Sequence, residues 1–174
     1  VEGMPVREAL ERCPQGRALR TDMRRYRGVA SRLRACFRRH TQRVEPAGLG
    51  AAFLEPPLPE EAAEELAERL RENVREELDL PLRVGIAPAK FLAKIASDLD
   101  KPDGFVVVDA ERIQEFLSPL PITRLWGVGK QGSKVFQRLG IRTIGELRRL
   151  PVQVLQDRFG SHGEHLWKLA RGID

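Results

Sequence analysis

Residues 82–108 read Leu-Arg-Val-Gly-Ile-Ala-Pro-Ala-Lys-Phe-Leu-Ala-Lys-Ile-Ala-Ser-Asp-Leu-Asp-Lys-Pro-Asp-Gly-Phe-Val-Val-Val, and the reading of this stretch decides the fold. Residues 82–87 are a short apolar run and predict a buried strand. Pro88 turns the chain, and residues 90–99 follow with the apolar spacing of a helix. Lys101-Pro102-Asp103-Gly104 has turn chemistry. Residues 105–108 then predict a second short strand. A strand, a helix and a strand in 27 residues make this part of the chain α+β.

Outward from this unit, residues 43–46 and 51–55 predict strands joined by Ala47-Gly48-Leu49-Gly50. Pro56-Pro57-Leu58-Pro59 stops the second and launches a Glu-rich helix to about Leu78, with Leu66, Leu70 and Val74 as its apolar stripe. Residues 5–12 predict a short helix, ended by Cys13-Pro14-Gln15-Gly16. A long helix follows over 21–40, capped by Thr21 or Asp22. Met23, Tyr26, Val29, Ala30, Leu33 and Phe37 recur along it at helical spacing, and its other face is almost all arginine. Asp109 can cap a helix to Leu117. Ser118-Pro119-Leu120-Pro121 is the expected domain boundary, because two prolines punctuate it and the charge balance changes after it. Beyond it only helices are expected, over 123–126, 131–139, 144–150 and 152–159, with a last one from Ser161 to near Gly172. The expectation is an α+β domain over 1–118 and an all-α domain over 119–174.

Composition narrows the classes. The 174 residues carry 30 Lys+Arg against 25 Asp+Glu, with 41% hydrophobic residues and two cysteines. The chain is too apolar for a disordered tail and has no apolar run near the ~20 residues of a membrane span. Residues 1–8 lack a basic start followed by an apolar core, so no secretory signal is expected. Cys13 and Cys36 form no CxxC pair, which suits a reducing cytoplasm. Like charges cluster by segment. Residues 17–43 hold ten arginines and one acid, residues 60–77 eight glutamates, and residues 123–174 ten Lys/Arg against four acids. Such clusters are either solvated helix faces or an electrostatic footprint for nucleic acid.

The strongest motif for chemistry is Leu125-Trp126-Gly127-Val128-Gly129-Lys130, with the following helix to Leu139-Gly140-Ile141. It has the helix-hairpin-helix pattern. Two glycines let the chain turn and leave N–H groups at a helix N-terminus, where a phosphate oxygen is favoured. Lys130 and Lys134 add charge to the same side. The bland reading is an ordinary turn between helices. Such a module holds a DNA backbone without reading sequence. His40, His162 and His165 have no metal-ligand spacing and read as surface residues. No nucleophile elbow, Walker or dinucleotide pattern is present.

With these motifs in hand, residues 82–108 closely resemble the palm of Y-family translesion DNA polymerases of the DinB type. Gly3-Met4-Pro5 with Cys13-Pro14 resembles the end of the family's fingers, and Val44-Glu45-Pro46 and Ala52-Phe53-Leu54 keep the family's order. Residues 121–174 resemble its thumb, with the helix-hairpin-helix. The resemblance implies a partial ferredoxin-like palm followed by an all-α thumb. It also implies Mg²⁺ as the family's cofactor, held by an Asp on an N-terminal strand and by an Asp-Glu pair. Gly50 stands at that Asp and Ala51 at that Glu. Hard cations take oxygen ligands, so no metal and no cofactor are expected here. Glu45 and Glu55 lie too far along extended chain to substitute. Lys94 matches a lysine that contacts the incoming triphosphate in the family, and is expected to be solvated or to keep only a residue of that role.

The reading from sequence is a non-catalytic member that binds DNA, mainly through backbone phosphates at Gly127, Val128, Gly129, Lys130 and Lys134, in damage response or repair. It is expected in the cytoplasm, on the nucleoid. The alternatives are an adaptor for another polymerase or repair protein, and a residual translesion polymerase. The family's N-terminal strand, fingers and C-terminal little finger are expected to lie outside this chain. The place of that strand in the sheet is expected to be filled by residues 17–20, or else by closing of its neighbours or by a strand from another chain.

Overall fold

A computed structural model describes residues 3–57, 61–99 and 104–174. The turn expected at 101–103 and the proline launch at 58–59 lie outside the described residues. Helix α1 (Val6–Arg12) buries no side chain. Helix α2 (Met23–Arg38) opens at Asp22, whose Oδ1 accepts from the Arg25 N–H at 3.0 Å. Strands β1 (Val44–Pro46) and β2 (Ala52–Leu54) pair antiparallel, with Glu45 opposite Phe53. Helix α3 (Glu61–Leu78) follows. Strand β3 (Val84–Ile86), helix α4 (Lys90–Ser97) and strand β4 (Phe105–Val107) form the unit read at the outset, its strands parallel in the register Val84 to Phe105. Parallel pairing requires a crossover, and α4 supplies it. Gly85 is what lets α4 lie against β3. A Cβ at Gly85 would sit 2.1 Å from the Ala93 carbonyl oxygen and 2.6 Å from the Ser97 nitrogen.

The C-terminal part is helical: α5 (Ile113–Leu117), α6 (Lys130–Arg138), α7 (Ile144–Arg148), α8 (Val152–Phe159) and α9 (Ser161–Leu169). Single 3-10 turns precede α5 (Ala110–Arg112) and the hairpin (Ile122–Arg124). Asp109 makes no side-chain cap, and its helix begins as the first of these turns.

Two apolar clusters hold the chain together. In one, Leu33, Cys36 and Phe37 of α2 meet Leu66, Leu70 and Val74 of α3, with Val44, Ala52 and Leu54 packed alongside. Burial pushes the Cys36 thiol up from its ordinary value. The other joins Phe91, Leu92 and Ile95 of α4 to Leu117, Ile122, Phe136, Ile144 and the core of α8 and α9. It runs across the 118–121 segment without a break.

The two strand pairs are separate sheets. In β1–β2, Ala47 N–H donates to the Ala51 carbonyl and Glu55 N–H to that of Arg43, so Ala52 and Leu54 turn their main-chain groups away from β1. In β3, Val84 N–H donates to Gly104 and the Ile86 carbonyl accepts from Val108, so Gly85 turns away from β4. Both free edges line one groove of about 960 Å³, with Leu66, Ala67 and Leu70 among its walls. The expected filling by residues 17–20 does not occur. Arg17 to Arg20 are exposed and join neither sheet. Leu19 is the only apolar side chain of that length with any reach, and one such residue cannot hold a strand against the groove wall.

Candidate nucleic-acid interface

The hairpin is set by a few contacts between its limbs. Pro121 bridges to Thr143, Ile122 N–H donates to the Arg142 carbonyl at 2.8 Å, and Ile144 N–H donates to that of Leu120 at 2.9 Å. The second limb, α7, is capped reciprocally. Thr143 Oγ1 accepts from the Glu146 N–H, and the Glu146 carboxylate accepts from the N–H groups of Arg142 (2.6 Å) and Thr143 (3.0 Å). Those backbone donors hold the Glu146 carboxyl below the usual carboxylate range.

Between the limbs, Leu125 is buried, Trp126 is 40% exposed and Gly127 takes φ +84°. Gly127 is required twice over. Its φ disfavours any side chain, and a Cβ there would stand 2.6 Å from the His162 ring, whose Nε2 lies 3.2 Å from the Gly127 carbonyl oxygen. Val128 does not play the part expected of it. Its side chain is buried and its N–H donates to the Leu125 carbonyl at 3.1 Å, so neither faces a ligand. The sequence motif marks where the chain turns, and Val128 is the residue that closes the turn inward. Gly129 is extended, with open space where a Cβ would lie, and its carbonyl accepts the first helical bond from Ser133. The N–H groups of Lys130, Gln131 and Gly132 therefore have no partner within α6. Lys130 and Lys134, exposed and one turn apart, flank them. A glycine without a side chain, three N–H groups with no partner within α6, the positive end of a nine-residue helix and two ammonium groups can together hold a phosphate.

The positions matched to the family's metal ligands lie elsewhere. Gly50 and Ala51 line the groove between the sheets, and so does Lys94. Neither Gly50 nor Ala51 has a side-chain oxygen. Glu45 is paired with Lys90, and Glu55 with Arg43. Among the described residues no three His, Cys, Asp or Glu side chains come together as metal ligands. These residues do not fit a Mg²⁺ site. The Lys94 ammonium donates to Asp98 at 2.6 Å, and Arg83 reaches the other oxygen of the same carboxylate at 3.2 Å. Lys94 is thus paired with Asp98 at the C-terminal cap of its helix, its side chain 35% exposed.

Sequence reasoning missed two residues of the hairpin's surroundings. His162, 35 residues away, packs on Gly127, and Trp126 meets Phe53 of β2 across the junction of the two parts. No local spacing signals either contact, because both depend on how distant elements dock.

Comparison with known proteins agrees with the geometry. Residues 1–98 match the model of the impB/mucB/samB family, and residues 123–174 that of the DNA polymerase-iota thumb domain. A curated DNA polymerase IV from Xanthomonas campestris pv. campestris (strain 8004) is 44% identical over 174 residues, covering 98% of this chain and 48% of the relative. One from Pseudomonas aeruginosa (strain UCBPP-PA14) is 42% identical, over 98% and 50%. The chain thus spans about half the length of the curated relatives it matches. Among solved structures, DinB from Sulfolobus solfataricus superposes with a TM-score of 0.88 at 27% identity, over 98% of this chain and 51% of that one. An insertion ternary complex of Dbh DNA polymerase gives 0.88 at 26%, over 99% and 52%.

Proposed function

The chain belongs to the impB/mucB/samB family, the DinB type of Y-family DNA polymerase, and from that premise we propose that it holds DNA by its phosphate backbone and performs no nucleotidyl transfer of its own. The observation that carries the second half is the replacement at Gly50 and Ala51, together with the pairing of Glu45 and Glu55 to basic side chains. Phosphoryl transfer of the two-metal kind needs carboxylates to fix the ions ~3.5–4 Å apart, and glycine and alanine supply none. Support for the first half comes from the hairpin. Gly127 and Gly129 shape it, the first turn of α6 leaves three N–H groups without a partner in the helix, and Lys130 and Lys134 are exposed beside them. Trp126 rests on β2, which ties the hairpin to the palm-like part. The site works in the cytoplasm, on nucleoid DNA, within damage response or repair. No helix among the described residues is long and apolar enough to cross a membrane.

Primer extension and duplex binding measured on one preparation test both halves. Salt-sensitive binding with no extension, in Mg²⁺ or Mn²⁺, is the expected result. Extension that survives purification overturns the non-catalytic reading and leaves a residual polymerase.

One observation favours a second reading, a scaffold for another polymerase or repair protein. Two strand edges whose main-chain groups have no strand partner among the described residues line the same apolar groove, and such edges accept an extended segment. A protein retained on this chain at high salt would favour that reading over DNA binding.

A further inference from the structure

Helix α2 carries more charge than its packing uses. Its buried residues, Ala30, Leu33, Cys36 and Phe37, lie along one side. Arg32 and Arg39 flank them and are spent on α3, Arg32 donating to the Glu77 carbonyl at 2.8 Å and Arg39 to the Glu77 carboxylate. Arg24, Arg27, Arg34 and Arg38 are different. At ~100° per residue they fall within roughly 80° of one another, and they run along about 21 Å of helix at ~1.5 Å per residue. None of the four takes part in a hydrogen bond or ion pair among the described residues, and like charges one turn apart repel. Beside them lie Gly28, Ser31 and Ala35, all exposed and all small. This strip offers guanidinium forks with a low wall of short side chains, into which a phosphate chain can settle closely. Its exposed apolar neighbours, Met23 and Tyr26, stand only at its N-terminal end, whereas a helix that sinks into a lipid surface carries apolar side chains along its whole length.

The position of the strip is what matters. In β1–β2, Glu45 and Phe53 are cross-strand partners on one face, where Lys90 pairs with Glu45 and the Phe53 ring meets Trp126 of the hairpin. Val44, Ala52 and Leu54 pack on the other face, against α2 and α3. Helix α2 therefore lies behind the sheet from the hairpin, and its arginine strip runs along the flank of α2 beside Ala30, across the buried face from the flank that holds Arg32 and Arg39. We infer that this strip is a second nucleic-acid site, on the opposite side of the molecule from the hairpin, and that one protein molecule holds two separate duplex segments. The inference rests on the reading of this chain as a DNA binder and goes beyond it.

The test uses the full chain and blunt duplexes of about 14 base pairs, rigid rods against a persistence length of ~150 bp. Donor-labelled and acceptor-labelled duplexes are mixed, and energy transfer between them is read as protein is added, with sedimentation giving the composition of the complex. One protein with two duplexes, and transfer between them, is expected. Three variants separate the sites. Substituting Arg24, Arg27, Arg34 and Arg38 by Gln, which keeps helix propensity, should abolish transfer, leave one duplex bound and flatten the dependence of affinity on salt. Substituting Arg12, Arg43, Arg69 and Arg112 by Gln removes equal charge from arginines already paired with glutamates, and should leave two duplexes bound. Gly129→Val with Lys130→Gln and Lys134→Gln should also leave one duplex, now on α2. If that variant still holds two duplexes while the α2 variant holds one, the hairpin reading fails and the α2 site stands. A single duplex on the unaltered protein, two proteins in the doubly loaded complex, or equal losses in the two arginine variants would each overturn the inference.

Discussion

The ring of Phe53 meets that of Trp126 edge-on, with centroids 6.4 Å apart and planes at 61°. Phe53 belongs to the middle of β2 and Trp126 to the turn that opens the hairpin, so this pair fixes the phosphate-facing loop to the sheet. Lys90 stands 5.9 Å from the centre of the same Phe53 ring, adding a cation to the junction. Aromatic pairs of this geometry contribute about 0.5–1.5 kcal/mol beyond area burial. A double-mutant cycle with Phe53→Ala and Trp126→Ala, read by urea unfolding, should return a coupling energy in that range. A coupling indistinguishable from zero would make the contact incidental.

The two hairpin glycines should fail in opposite ways. Gly127→Ala places a methyl group against the His162 ring at a φ of +84°, and should cost about 1–3 kcal/mol of stability, the range for strain and overpacking. Gly129→Val starts from open space, because no atom lies within 4 Å of the added Cβ, so its structural cost should be limited to that of a poorer residue at the N-cap of α6, about 1 kcal/mol. Its affinity for duplex should fall, since the new side chain stands where a phosphate would approach. For the hairpin alone, log K against log salt should slope at roughly −2 to −4. Undiminished binding by Gly129→Val would leave the hairpin a structural turn.

Gly85→Ala tests the strand–helix approach. The clash is with backbone, the Ala93 carbonyl and the Ser97 nitrogen, which cannot swing aside as a side chain can. Destabilisation at or above the ~3 kcal/mol top of the overpacking range is expected. A melting temperature within two or three degrees of the parent would mean that α4 can slide on β3.

The capping box on α7 should give a pH signature. The Glu146 carboxyl is held low in the folded chain by two backbone donors, so its contribution is fully present above the ordinary carboxylate range of ~4.3. It is lost as pH falls through the depressed folded value. The difference in melting temperature between the parent and Glu146→Ala should therefore stay constant from neutral pH to about 5 and shrink on further acidification. Thr143→Ala, which removes the other half of the box, should cost about 0.5–2 kcal/mol. A gap that widened with acid would contradict this assignment.

What is legible in the sequence is local. The run from Leu82 to Val108 places a strand, a helix and a strand because apolar spacing and turn chemistry are properties of neighbours in sequence. Asp22 as a cap and the glycine pair of the hairpin are legible for the same reason. Residues 17–20 alternate weakly in sequence yet join no sheet, because strand addition depends on what the groove wall offers. That wall is made by α3, far along the chain. Val128 points inward and His162 arrives from α9, and both depend on docking of helices that no window of ten residues contains. The motif assigns Lys94 by its place in sequence, whereas its charge is paired with Asp98 one turn on, a partner that helical spacing does make visible.

Helix α4 has one side on β3 and β4 and its buried residues in the cluster of the C-terminal helices. The cluster of α2 and α3 with β1 and β2 is separate. Cooperative opening follows shared apolar contacts rather than proline punctuation. The seam along which the molecule comes apart under mild denaturant then runs between the two sheets. Amide protons of α4 should exchange in step with those of α9, and on a different timescale from those of α2, however close α4 and α2 stand in the chain's order.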